Sequence, residues 1–211
     1  DPACEGDVLT FDASGTAIPT PPVTIIGYDW DFENDGTFDF TNDAIYDSVG
    51  LNSTTYITPT YLYGDAGIYN ALLRVRSSNL CVDTAIRQVI IHPNPIADFD
   101  ITEGCSGVEL VFTSTSDLDS IGSNVQDSIT FYEWDFGDGT GIVSGATLDV
   151  ALHTFADSGS YVVKLKVISN GSCEDSLLRT IRIFPSPDAE FVAINDCADS
   201  VIVFDASATT K

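Results

Sequence analysis

Apolar residues along this chain come in short alternating runs. Stretches such as 8–11 (VLTF), 70–75 (NALLRV), 162–167 (VVKLKV) and 179–184 (RTIRIF) approach an apolar side chain at every second position, the period of a strand with one face in a core and one in water. No window sustains an i, i+3, i+4, i+7 stripe, so essentially no helix is predicted. Hydrophobic residues make up 44% of the 211, which excludes general disorder. Val, Ile, Thr, Phe and Tyr are plentiful and Met is absent, which is the material of an all-β protein.

The pattern repeats. Cys4, Cys105 and Cys197 are each followed seven residues later by a Phe, at 11, 112 and 204. Trp30-Asp31-Phe32 answers Trp134-Asp135-Phe136, and Asp65-Ala66-Gly67-Ile68-Tyr69 answers Asp157-Ser158-Gly159-Ser160-Tyr161. Twelve residues beyond each Tyr stands a Cys, Cys81 or Cys173, and CVDTAIRQVIIHPNP then pairs with CEDSLLRTIRIFPSP without a gap. Internal similarity at this period marks tandem domains. Copy one is assigned to residues 1–93, copy two to 94–186, and 187–211 to the first strands of a third. Copies two and three open on a PxPxAxF leader that copy one lacks. The simplest account is a window cut from a longer tandem array.

Five Cys allow several pairings. The repeat favours one bridge per copy, Cys4 with Cys81 and Cys105 with Cys173, leaving Cys197 for a partner beyond the end; buried free thiols are the alternative. Closing a loop of about 75 residues is worth roughly 4 kcal/mol in the chain-entropy model, and bridges of this kind belong to an oxidising, extracellular setting. Zinc is disfavoured, since there is no CxxC and the two His lie in different copies.

Charge narrows the partners. With 32 acidic and eight basic side chains, the net charge is −24. Nucleic acid and anionic membrane surfaces need clustered Lys and Arg that are missing. The acidic surface has three readings: solubility, adaptation to a salty medium, or oxygen ligands for divalent cations. Apolar runs fall far short of a membrane span. The opening DPACEGD has no signal-peptide character, so any targeting segment is expected to have been removed or to lie outside this stretch.

In copy two, YEWDFGDGTG followed by HTFADSGSYVVKLKVISNGSCEDS resembles the PKD (polycystic kidney disease) domain, whose signature is WDFGDG, then HxY or HxF, then GxYxVxLxV. Copy one departs from it, with WDFENDG and Tyr61-Leu62-Tyr63 in place of WDFGDG and His153-Thr154-Phe155. The resemblance implies tandem immunoglobulin-like β-sandwiches of about seven strands each. A central-strand Trp and a DxGxY tyrosine corner agree with that fold. The Cys positions and PxPxAxF linkers are similar to those of tandem modules in large surface proteins of gliding and adhesive Bacteroidota.

Two acidic turns are candidate metal loops. Asp31, Glu33, Asp35, Gly36 and Asp39 occupy positions 1, 3, 5, 6 and 9 of a DxDxDGxxD calcium pattern, with the Thr37 carbonyl at position 7. Alternate side chains on a tight turn converge, and Gly permits the bend. A polar hairpin around Asn34-Asp35-Gly36 is the other reading. Copy two keeps only Asp135 and Asp138, a weaker candidate for which turn bonding is the better account.

Catalysis finds little support, since no GxSxG-type motif accompanies His92 or His153 and the carboxylates are too numerous to single out a pair. Trp30 and Trp134 are expected in the core. Better-placed aromatic contacts are Tyr46, Tyr56 and Tyr61, in or near an insert of about a dozen residues that copy one carries between its Trp and its corner Tyr. Such a loop is where recognition sits, or it is an extra edge hairpin. Ser48, Thr84, Ser120, Ser128, Ser176 and Ser200 each follow an Asp and precede an apolar residue, which is similar to the O-glycosylation pattern of Bacteroidota surface proteins.

The reading is a non-catalytic extracellular repeat array, the stalk or fibre of a cell-surface adhesin or filament, stiffened by disulfides and calcium. Its expected partners are neighbouring modules or subunits of the same protein, with surface glycans or proteins as further candidates. The alternatives are an accessory segment of a secreted hydrolase, or a glycan- or protein-binding module acting through the copy-one insert.

Overall fold

The computed structural model describes residues 2–17, 20, 22–41, 54–119, 124–194 and 203–205. They form an all-β protein of β-sandwich units. Its first strands are β1 (Ala3–Cys4), β2 (Val8–Thr10), β3 (Ile25–Asp31), β4 (Phe40–Thr41), β5 (Thr60–Leu62), β6 (Gly67–Ser77) and β7 (Val82–His92). A single helical turn, α1 (Thr54–Ile57), precedes β5 and is the one helix among the described residues. Copy two contributes β8 (Pro95–Ile96), β9 (Phe99–Ile101), β10 (Gly104–Cys105), β11 (Glu109–Ser114), β12 (Asp117–Leu118), β13 (Ile129–Asp135), β14 (Ile142–Gly145), β15 (Val150–Thr154), β16 (Gly159–Ser169) and β17 (Glu174–Phe184). The third copy adds β18 (Val192–Ile194) and β19 (Val203–Asp205).

Each full copy builds the same five-stranded sheet, β1-β7-β6-β3-β4 in one and β10-β17-β16-β13-β14 in the other. The long alternating runs flanking Cys81 and Cys173 form the central hairpins, and the short strand that carries Cys4 or Cys105 lies parallel to the last residues of its hairpin. The facing sheet is unequal. In copy two it has three strands, β15-β11-β9; in copy one the described residues supply two, β2 and β5.

Aromatic side chains fill the space between the sheets. Phe99, Phe112, Trp134, Phe136 and Phe155 are buried in copy two, each worth about 1.5–3 kcal/mol of burial. Trp30, Phe32 and Tyr63 do the same in copy one, with Phe11 and Tyr61 packed at their margin. Both tyrosine corners form as the DxGxY spacing predicts: Tyr69 Oη donates to the Asp65 carbonyl and Tyr161 Oη to that of Asp157, each at 2.8 Å.

Two compact units result, and their limits differ from the repeat boundaries. One comprises Asp1–Pro95, Leu118–Ile129 and Ile168–Glu174; the other comprises Ile96–Asp117, Thr130–Val167 and Asp175–Lys211. The disulfide pairing is also other than expected. Cys4 is bonded to Cys173, their Cα atoms 5.7 Å apart, while Cys81 and Cys105 are free thiols. The strand register gives the reason. Cys4 lies opposite His92 at the end of β7, whereas Cys81 sits in the turn before β7 begins, roughly 35 Å away along an extended strand. Cys105 and Cys173 are separated in the same manner, with Cys105 opposite Phe184 at the far end of β17. A bridge within one copy is therefore geometrically excluded. Gly171 closes the turn beside Cys173, where a Cβ would lie 2.4 Å from the His92 ring.

Candidate functional site

The acidic loop of copy one is closed by its own backbone. Asp31 is buried at the end of β3 and accepts the amides of Asp35 and Gly36, one on each oxygen, at 3.2 and 2.9 Å. Asp39 accepts the Phe32 amide at 2.9 Å and Asp35 that of Thr37 at 2.7 Å. Glu33 turns away from them to accept the Tyr61 hydroxyl. Positive φ at Asn34 and Gly36 makes the bend. Among the described residues, no three His, Cys, Asp or Glu side chains gather around one point. Asp31, Asp35 and Asp39 thus act as acceptors for the turn's own amides and Glu33 for the Tyr61 hydroxyl, and as placed the four carboxylates do not gather as a calcium site.

Copy two closes its loop with different residues. Asp135 accepts the Gly137 amide at 3.0 Å; Asp138 accepts the Thr140 amide and hydroxyl and lies 2.7 Å from His153 Nε2. Burial pushes the Asp138 carboxyl upward, but the bonds from Thr140 and His153 outweigh it and hold the group below its ordinary value. The His153 ring lies flat on Phe136, with centroids 4.0 Å apart. Gly137 leaves no room for a side chain where the first loop carries Glu33, since a Cβ there would meet the Val162 carbonyl at 2.3 Å.

Tyr61 in copy one occupies the His153 position. It stacks on Phe32 at 4.3 Å and bonds Glu33, as His153 stacks on Phe136 and bonds Asp138. Burial first, then Glu33, raises the Tyr61 hydroxyl well above the tyrosine range, and burial does the same to Tyr63. Both remain donors. Two unlike pairs thus do one job, anchoring an acidic loop to the WDF phenylalanine.

The other candidates separate clearly. Trp30 and Trp134 are core residues, their indole N–H groups donating to the carbonyls of Tyr56 and Leu148 at 2.9 Å. Tyr61 is packed against the core rather than offered as a platform, Tyr56 is half-buried, and Tyr46 lies outside the described residues. Thr84, Ser128 and Ser176 are exposed, while Ser48, Ser120 and Ser200 lie outside the described residues. His92 Nδ1 is 2.7 Å from Asp127. The strand pattern did not reveal buried Asp29, which takes Nε of Arg74 at 2.9 Å and both Nε and a terminal nitrogen of Arg76 at 3.0 Å. The available signal was a carboxylate on a strand whose neighbours carry two Arg at alternate positions.

Residues 93–184 match the PKD domain. Solved structures similar to the chain include the PKD1 domain of Vibrio anguillarum Epp, at 20% identity over 45% of this chain and 99% of that one, with a TM-score of 0.37. The PKD1 domain from Vibrio cholerae metalloprotease PrtV is 25% identical over 43% of this chain and 98% of its own, with a TM-score of 0.35. The fibronectin(III)-like modules of Clostridium thermocellum CbhA are 13% identical over 87% of this chain and 90% of theirs, with a TM-score of 0.41. The PKD span is copy two. No helix among the described residues is long and apolar enough to cross a membrane.

Proposed function

We propose that this PKD-containing chain is a non-catalytic, extracellular load-bearing segment, a piece of a stalk or fibre whose neighbours are modules of its own kind. One observation carries the reading: the Cys4–Cys173 bridge ties the strand that opens copy one to the central hairpin turn of copy two, across a sequence separation of 169. Tension applied to the ends meets a covalent bond before it reaches most of either copy's hydrogen bonds. The side chains with the chemistry to act on a substrate support this use. His153, Asp138, Asp31 and Asp39 hold loops closed on the sandwich.

Calcium is not required by this mechanism, because backbone amides already supply the positive partners that an ion would offer to Asp31, Asp35 and Asp39. The test is single-molecule extension of the full chain. With the bridge intact, the length released on unfolding should omit the chain between Cys4 and Cys173; under a thiol reductant it should appear in full. Equal release in both conditions would refute the proposal.

A further inference from the structure

The Cys4–Cys173 bridge joins two built surfaces. One is a socket at the end of β7, where Cys4 lies opposite His92, the Glu5 amide donates to the His92 carbonyl at 2.9 Å and the Asn94 side-chain amide donates to the Glu5 carbonyl at 2.9 Å. The other is the hairpin turn 169–173. There the Ser169 amide donates to the Cys173 carbonyl at 2.9 Å, Ser172 takes a positive φ, and Asn170 ties the turn to Ser128. Asp127, beside Ser128, reaches His92 Nδ1 at 2.7 Å.

Cys105 and Cys81 sit on second examples of the same two surfaces. Cys105 lies opposite Phe184, the Ser106 amide donates to the Phe184 carbonyl at 2.8 Å, and the Ser186 hydroxyl donates to the Ser106 carbonyl. In the turn 77–81 the Ser77 amide donates to the Cys81 carbonyl at 2.9 Å, Leu80 takes the positive φ, and Ser78 ties the turn to Thr24. Both halves of the bridge are thus built again, register and hydrogen bonds included. What differs is polarity. The bonded surfaces carry Asp7 and His92 on the socket, Asp127 and Ser172 on the turn; at the same repeat positions the other two carry Val108 and Phe184, Val23 and Leu80. Leu80 is 84% exposed, Val108 50% and Phe184 38%. A polar socket holds a polar turn, and the apolar socket is matched by an apolar turn.

We infer that Cys105 and Cys81 are the two halves of a further disulfide of this kind, formed head to tail between repeats on neighbouring copies of the chain. A socket on one copy meeting a turn on the next is a heterologous contact, which propagates rather than closing a dimer. Each link oxidises two thiols to one disulfide; the two electrons and two protons pass to a low-molecular-weight disulfide, which leaves as two thiols. One position tunes the fit. Asn79 stands where copy two has Gly171, whose missing Cβ admits the His92 ring, so the Phe184 ring must lie elsewhere when the turn docks. That ring now lies beside Arg182, 5.1 Å from its guanidinium carbon. The link does not depend on the load-bearing role.

The test incubates the full chain, with Cys197→Ser throughout to remove a third thiol, in reduced and oxidised glutathione. Non-reducing electrophoresis should show a ladder, and peptide mapping should find Cys81–Cys105 at least tenfold over Cys81–Cys81 and Cys105–Cys105. Cys81→Ser and Cys105→Ser should each abolish the ladder, and the two variants mixed should give dimers and nothing longer. Phe184→Asp should lower the yield and Asn79→Gly raise it; both sites lie at the surface, and circular dichroism checks that the variants fold. A chain that stays monomeric, links in random proportions, or a yield indifferent to Phe184 overturns the inference.

Discussion

The two copies share a sheet and differ in how they finish the core opposite it. In copy two a leader strand buries Phe99 against Phe112 and Trp134, and β16 presents Val163, Leu165 and Val167 with no exposed surface. In copy one the same sheet positions border a groove, and the Cys4–Cys173 bridge, the Asp29–Arg74–Arg76 cluster and Arg74 over the Phe38 ring supply other contacts. The described residues of the two copies thus hold the same sheet order with different sets of contacts.

That contrast can be broken most severely at the bridge. Cys173→Ser should destabilise the unit containing Cys4 by up to about 5 kcal/mol in the chain-entropy model. Urea unfolding should then show two transitions, the PKD span moving less than the first copy. Equal loss in both would show that the bridge is not local to the first unit.

The next largest effect should come from making copy two resemble copy one. Phe99→Ala empties the slot that the leader fills, and removing a buried Phe costs about 3–5 kcal/mol. Chemical denaturation should show that loss in the second unit, with enhanced amide exchange at residues 112–114. A loss under 1 kcal/mol would mean that β9 is held by its backbone and Arg179 alone.

The loops offer a smaller test. Asp138→Asn should cost copy two about 2 kcal/mol, the worth of hydrogen bonds to a charged group. Because the folded carboxyl is held below its ordinary 3.8, its contribution is complete above that value and lost as pH falls through the folded one. Thermal melts from pH 7 to pH 2 should show the gap between parent and variant closing only below about pH 4. A gap that is constant throughout would assign the effect to packing around His153.

The smallest expected effect is that of calcium. Chelation followed by calcium should leave the melting temperature unchanged, since the loop carboxylates already accept amides. A midpoint that rises with calcium but not magnesium, and no longer does so in Asp35→Ala, would overturn the reading of the loop.

Much of this protein was legible from residues alone. Alternation of period two, the recurring WDF and DxGxY motifs, and the cysteine positions determined two copies of one sandwich, the core Trp and the tyrosine corners, because these depend on local periodicity and on contacts that each copy makes within itself. Only the tertiary structure decided the partner of Cys4, since equal spacing does not say that Cys4 and Cys81 lie at opposite ends of an eleven-residue strand. It also decided the acidic loop: side-chain spacing cannot reveal whether carboxylates converge on an ion or turn to the amides beside them. The groove in copy one emerged in the same way, as a space defined by strands distant in sequence and recognisable only beside the copy in which it is filled.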